Sequence, residues 1–198
     1  MINNISIECF GEIIYIDNVL QENIHEIKIP DYITELHIDG DYLDHFDIPK
    51  GIISVHLDSI GLKTLNIPDG VETLFCSRNF LRTLEIPSSL YMLEAQNNLL
   101  THFTFRNESS SFNESSYFNE SSSFNESKSF NNLTHIDIRS NKFKSLNFDI
   151  NDSIEYFNAS FNEINYITPK IDKLLKNVFS IKLNLPENED NLFYSKSI

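Results

Sequence analysis

The sequence predicts a repeat protein of mainly β or α/β class, a solenoid of about seven to eight coils built on one parallel β-sheet. Two observations carry this. The dipeptide Ile-Pro recurs at Ile29-Pro30, Ile48-Pro49, Ile67-Pro68 and Ile86-Pro87, each step being 19 residues. Five further positions in each block are apolar in all four copies.

Counting each block from its Ile as position 1, position 5 is Ile33, Ile52, Val71 and Leu90. Position 8 is Leu36, Val55, Leu74 and Leu93, and position 10 is Ile38, Leu57, Cys76 and Ala95. Leu43, Leu62, Leu81 and Leu100 stand at position 15, and Phe46, Leu65, Leu84 and Phe103 at position 18. Positions 8 and 10 alternate with polar neighbours, the period of two that marks a short strand with one buried face. One such strand cannot bury its face alone, but stacked copies can. Position 13 is Asp41, Asn79, Asn98, Asn141 and Asn162, with Ile60 the exception. A short amide there can satisfy backbone groups that a sharp turn leaves unpaired. Pro at position 2 removes a donor on the return path, where no sheet bond is needed. Nineteen residues leave no room for a full outer helix, so the returns are expected to be extended or short 3₁₀ segments.

Ahead of the regular blocks, residues 13–17 read as one more strand, with Ile5-Ser6-Ile7 pairing against it as a cap. Residues 1–28 thus form the N-terminal cap and first coil, and residues 29–104 the 19-residue coils. The frame is then interrupted. Phe112, Phe118, Phe124 and Phe130 recur every six residues, and four hexads make 24. Leu90 and Leu133 are 43 residues apart, which is 19 plus 24. The low-complexity stretch 105–129 therefore reads as a tandem expansion inserted at a junction between coils. Two conformations remain open for it, a disordered loop or an extra β-solenoid turn with Phe inward. Residues 130–198 resume the coils and end in a C-terminal cap. A sixth block holds Ile154, Phe157, Ala159, Asn162, Ile164 and Ile167, and a degenerate last one holds Val178, Ile181 and Leu183. Helical spacing from Pro169 to Phe179 predicts a short helix before the last strand.

The pattern L-x-x-L-x-L-x-x-N-x-L-x-x-L with an adjoining Pro resembles the leucine-rich repeat. Its short period and Pro placement look most like the bacterial effector subtype, and similar Ile/Asn-rich repeats occur in proteins of amoebal giant viruses. The resemblance covers about residues 13–185 without the hexads and is specific for fold rather than function. It implies a concave face lined by positions 7, 9, 11 and 12. By position these include Glu35, Asp39, Ser54 and Asp58, and ten residues expected to contact a partner. The ten are His37, His56, Phe75, Arg78, Met92, Glu94, Asp137, Arg139, Tyr156 and Phe161. Aromatic and Arg side chains dominate interface energetics, which singles out Phe75, Arg78, Arg139, Tyr156 and Phe161, with Met92 beside them. Bacterial effector relatives often carry a ubiquitin-ligase domain, and nothing in this sequence is long enough to be one.

Composition narrows the partner. The chain of 198 residues carries a formal charge of −14, which repels phosphate backbones and argues against nucleic acid. Residues 1–50 hold 11 acidic residues against Lys28 and Lys50, a net −9, while the remaining 148 hold 18 against 13, a net −5. Two cysteines, Cys9 and Cys76, make neither a disulfide framework nor a four-thiolate metal site. Cys76 at a core position suits a reducing compartment. Neither a signal peptide nor an apolar run of membrane-spanning length is seen, so a cytoplasmic or host-cytoplasmic monomer away from membranes is expected.

The sequence therefore predicts a non-enzymatic module that binds a protein, with a host protein as one candidate, without cofactor or metal. A structural or self-assembling repeat protein is the alternative. A third reading is a metal-dependent hydrolase. His37 and His56 share position 9 of neighbouring coils, about 5 Å apart, with Asp39 and Asp58 at position 11 beside them. A flat, wet sheet lacks the enclosing shell that metals usually have, and no Gly-rich phosphate loop or Ser/His/Asp arrangement is present.

Overall fold

The apolar periodicity resolves into a mainly β solenoid of about seven turns. The computed structural model describes residues 5–22, 24–40, 42–106, 132–148, 152–176 and 180–182. Its principal sheet has nine strands: β1 (Ser6–Phe10), β2 (Ile13–Val19), β3 (Glu35–Gly40), β5 (Ser54–His56), β7 (Thr73–Phe75), β9 (Met92–Glu94), β11 (His135–Asp137), β13 (Tyr156–Asn158) and β15 (Ser180–Lys182). They lie in that order across the sheet. From β2 onward every neighbour is parallel, as coils wound in one direction require. The exception is β1, which folds back antiparallel on β2 through the turn at Gly11, with Ser6 opposite Asp17. The sequence suggests this pairing, there placed at Ile5-Ser6-Ile7 against residues 13–17.

Register follows the 19-residue frame. Leu36 lies opposite Val55, Val55 opposite Leu74, and Leu74 opposite Leu93. Leu93 then pairs with Ile136, and Met92 with His135, so the sheet continues in frame across the insertion. The hexads themselves, their sequons, Asp41, Val178 and Leu183 lie outside the described residues.

A second row of strands runs through the return segments, where the sequence suggests only extended or 3₁₀ chain. β4 (His45–Asp47) pairs with β6 (Thr64–Asn66), β8 (Thr83–Ile86) with β10 (His102–Phe105), and β12 (Ser145–Leu146) with β14 (Tyr166–Ile167), all parallel. These are positions 17 to 19 of the frame, and their middle residues Phe46, Leu84 and Phe103 are buried. The core fills the space between the two rows. Leu36, Val55, Leu74, Leu93, Ile136 and Phe157 enter from the principal sheet, and Leu43, Leu62, Leu81, Leu100 and Phe143 close it at the turn.

The only α-helix among the described residues is α1 (Pro169–Leu175), preceding β15. Thr168 caps it, its Oγ1 accepting from the Ile171 amide, and Pro169 occupies the first turn where no donor is needed. Ile171 and Leu175 are its buried face. Among the described residues no helix is long and apolar enough to cross a membrane.

The turn after each principal strand has a fixed chemistry. Position 12 adopts the left-handed backbone region in five coils, at Ser59, Arg78, Asn97, Ser140 and Phe161, with φ of 63°, 57°, 58°, 55° and 57°. None is glycine, and each such conformation costs about 1–2 kcal/mol. In four of the five coils the Asn at position 13 supplies the compensation. The Nδ2 group of Asn98 donates to Cys76 O at 2.9 Å and Ala95 O at 3.1 Å, while its Oδ1 accepts from Leu81 N at 3.0 Å. Asn79, Asn141 and Asn162 repeat the arrangement.

Candidate functional site

Strand geometry decides which side chains share the outward face. Residues at positions 7 and 9 point away from the core, and parallel pairing stacks equal positions into columns about 4.8 Å apart. The position-9 column runs Tyr15, His37, His56, Phe75, Glu94, Asp137 and Asn158. The position-7 column runs Glu35, Ser54, Thr73, Met92, His135 and Tyr156.

The first half of the position-9 column is a four-ring stack. Tyr15 and His37 have centroids 4.4 Å apart, His37 and His56 3.9 Å at an interplanar angle of 9°, and His56 and Phe75 4.4 Å at 11°. Phe10 from the cap meets Tyr15 edge-on. A shorter stack lies on the other column, where His135 and Tyr156 are 4.2 Å apart at 8°. Burial, and then the neighbouring His37, holds the His56 imidazole below its usual pKa, partly opposed by the carboxylates of Glu35 and Asp58.

Glu35 sits beside the two imidazoles. Its Oε1 lies 2.6 Å from His37 Nε2 and 3.8 Å from His56 Nε2, so both ring nitrogens converge on one oxygen. The donor atoms of Glu35, His37 and His56 all lie within 4.8 Å of one another. Sequence reasoning paired the imidazoles with Asp39 and Asp58, whereas these carboxylates are exposed and outside the cluster. The available signal was that Glu35 precedes His37 by two residues and so shares its face.

Further along, Asp137 is 4% exposed. Asn158 Nδ2 and the Tyr156 hydroxyl donate to its Oδ2 at 3.3 and 3.4 Å, its Oδ1 accepts from the Arg139 amide, and the Arg139 side chain pairs with it at 3.5 Å. Desolvation raises the Tyr156 phenol pKa, a donated hydrogen bond from Asn158 lowers it, and the Asp137 charge raises it again. Asp137 therefore lends charge to the face and little contact area. Glu94 and Met92 are half-buried on β9, with Glu94 3.8 Å from His135. Arg78 and Phe161 are exposed at the left-handed turn, Phe161 at 69%.

Of the ten residues expected to contact a partner, the structure brings nine to the accessible surface and buries Asp137. No protein-family model matches this chain, and no curated protein does. The only other thiol besides exposed Cys9 is Cys76, which is buried with its pKa pushed far up, chiefly by desolvation, so it is not poised as a nucleophile.

Proposed function

We propose that this chain is a non-enzymatic interaction module of the leucine-rich-repeat type, binding a protein partner through the exposed, concave face of its principal sheet, in the cytoplasm of its own or a host cell. The observation that supports this most is the stack of Tyr15, His37, His56 and Phe75. Its rings are already ordered against one another, so a partner loses little side-chain entropy on docking against them. Exposed Asp39 and Asp58 flank the stack, and with the acidic bias of residues 1–50 they favour a partner with a basic contact surface.

Affinity capture from a lysate of the natural or host cell tests this reading. A captured protein should be lost with Phe75→Ala plus Arg78→Ala and kept with Arg82→Ala, which alters an exposed residue away from the strand face. Equal loss with all variants, or equal retention, contradicts it.

Self-assembly is the second reading, favoured by β1. This edge strand is exposed along its length, with Ile7 at 50% and Phe10 at 62%. An unprotected edge strand with apolar side chains invites pairing with a second copy. Sedimentation velocity over a range of concentrations separates the two, since only self-assembly predicts an oligomer that Phe10→Lys dissolves.

A further inference from the structure

We propose that Glu35, His37 and His56 form a binding site for one zinc(II) or similar borderline divalent ion on the sheet face, with the fourth coordination position open to an external ligand. This departs from the metal-free expectation drawn from sequence, and it does not depend on the protein-partner reading.

Three features of the geometry carry it. The first is convergence. Both Nε2 atoms approach the same Glu35 oxygen, at 2.6 and 3.8 Å, from neighbouring strands in parallel register. A tetrahedral zinc site with bonds of about 2.0–2.1 Å holds its donors about 3.4 Å apart. The present donors lie within 4.8 Å of one another, so adjustments of under about 1.5 Å, within the reach of χ rotations, bring them to that spacing.

The second is restraint. Tyr15 on one side and Phe75 on the other hold the two imidazoles side by side in the column, and because near-parallel rings do not aim their in-plane Nε2 lone pairs at one point, binding turns one ring about χ2 out of the stack. What the sheet fixes is the spacing of the three backbone positions, since His37 and His56 are in register on paired strands and Glu35 shares the strand of His37.

The third is chemistry. Two imidazoles and a carboxylate are a donor set that zinc takes in sites keeping one open position. Binding needs both rings neutral with Nε2 unprotonated, so a proton carried on either Nε2 moves to Nδ1 before that lone pair reaches the metal. Each neutral ring keeps its one proton in that exchange, and the carboxylate of Glu35 supplies the third donor. Elsewhere among the described residues, His45 with Asp47 and His135 with Glu94 each bring one imidazole to one carboxylate.

Titration of the full-length protein with zinc chloride alone, in a non-chelating buffer, tests the site. Calorimetry should show a saturable event with one equivalent of zinc. The affinity should fall at least about tenfold in Glu35→Gln and further in His37→Ala plus His56→Ala. His45→Ala and His135→Ala should leave it unchanged. Nitrogen-15 NMR of the wild-type protein gives a readout independent of any variant, since the Nε2 resonances of His37 and His56 should shift together at substoichiometric zinc. Absence of saturable binding, or binding that survives the double substitution in a variant with a native circular-dichroism spectrum, overturns the proposal. So does zinc shifting His45 or His135 first.

Discussion

The side-chain oxygen of Asn79 accepts the backbone amide of Leu62 at 3.0 Å, tying one coil to the previous one 17 residues earlier. Its amide group reaches Leu57 O at 2.7 Å and Cys76 O at 3.0 Å at the same time. One buried side chain thus satisfies the turn of its own coil and the edge of its neighbour. The same ladder recurs at Asn98, Asn141 and Asn162, and it is the polar counterpart of the apolar stack.

Asn98→Ala should destabilise the fold by about 3 kcal/mol, because it orphans the Leu81 amide and the Cys76 and Ala95 carbonyls inside the core. Chemical denaturation of the purified variant measures this. A loss within a few tenths of a kcal/mol of wild type would mean that the ladder is incidental.

Ile60 interrupts the ladder, and the backbone fills in. The Leu43 amide, which an Asn oxygen would otherwise accept, donates to the Ile60 carbonyl at 2.7 Å. Gly61 follows at φ +86°, and a Cβ there would lie 2.9 Å from Tyr42 Cα. Gly61→Ala should therefore cost at least about 1–2 kcal/mol, from the left-handed backbone alone, with the clash adding to it. A denaturation midpoint equal to wild type would show that this turn does not need its glycine.

Deleting residues 107–130 should leave the solenoid intact. Arg106 would then be joined to Asn131, and Leu133 would fall at position 5 of a 19-residue block. Met92 and His135 already pair as that frame requires. The expected outcome is a cooperative melt close to that of the full chain and an unchanged pattern of sheet amide shifts. Collapse of the C-terminal coils alone would contradict the frame.

His56 should titrate below 6.5 in metal-free protein, followed by NMR. His37→Gln should raise its pKa by removing a like charge, and Glu35→Gln should lower it further. The sign for stability follows. The unfolded chain takes up this proton more readily than the native one, so the contribution is fully favourable above pH 6.5. It is lost as pH falls from 6.5 through the native value. His56→Phe should flatten that part of the stability profile. A native pKa at or above 6.5 would contradict the burial described.

Thiol labelling gives a simple check of the core. A membrane-impermeant disulfide reagent should modify Cys9 alone in the native protein and Cys76 only after denaturant is added, because Cys76 is fully buried with its thiol pKa pushed up. Two fast thiols under native conditions would place Cys76 outside the core.

Much of the coil was legible in the sequence because apolar burial is periodic. Leu36, Leu74 and Leu93 mark the strand, Leu62 and Leu81 the turn, and Asn79 and Asn98 the amide ladder, each at a fixed offset. The second row of strands was not, since segments such as His45–Asp47 are too short for alternation to stand out from extended chain. The left-handed position 12 was hidden because Arg78 and Phe161 carry no local preference for that conformation, and the coil closure imposes it. On the face, register predicted that His37 and His56 would be neighbours. It did not predict that Glu35 would join them rather than Asp39. It is the Glu35 oxygen that lies against both ring nitrogens, while Asp39 stays exposed.

Parallel coils continue in register from Leu93 to Ile136, and the solenoid depends on it. Interstrand NOEs measured on the isotope-labelled full chain test this most directly. Backbone contacts linking Leu93 to Ile136, 43 residues apart, together with those linking Leu74 to Leu93, are the predicted result. Contacts from Leu93 to any other segment, or an antiparallel pattern between these strands, would contradict it.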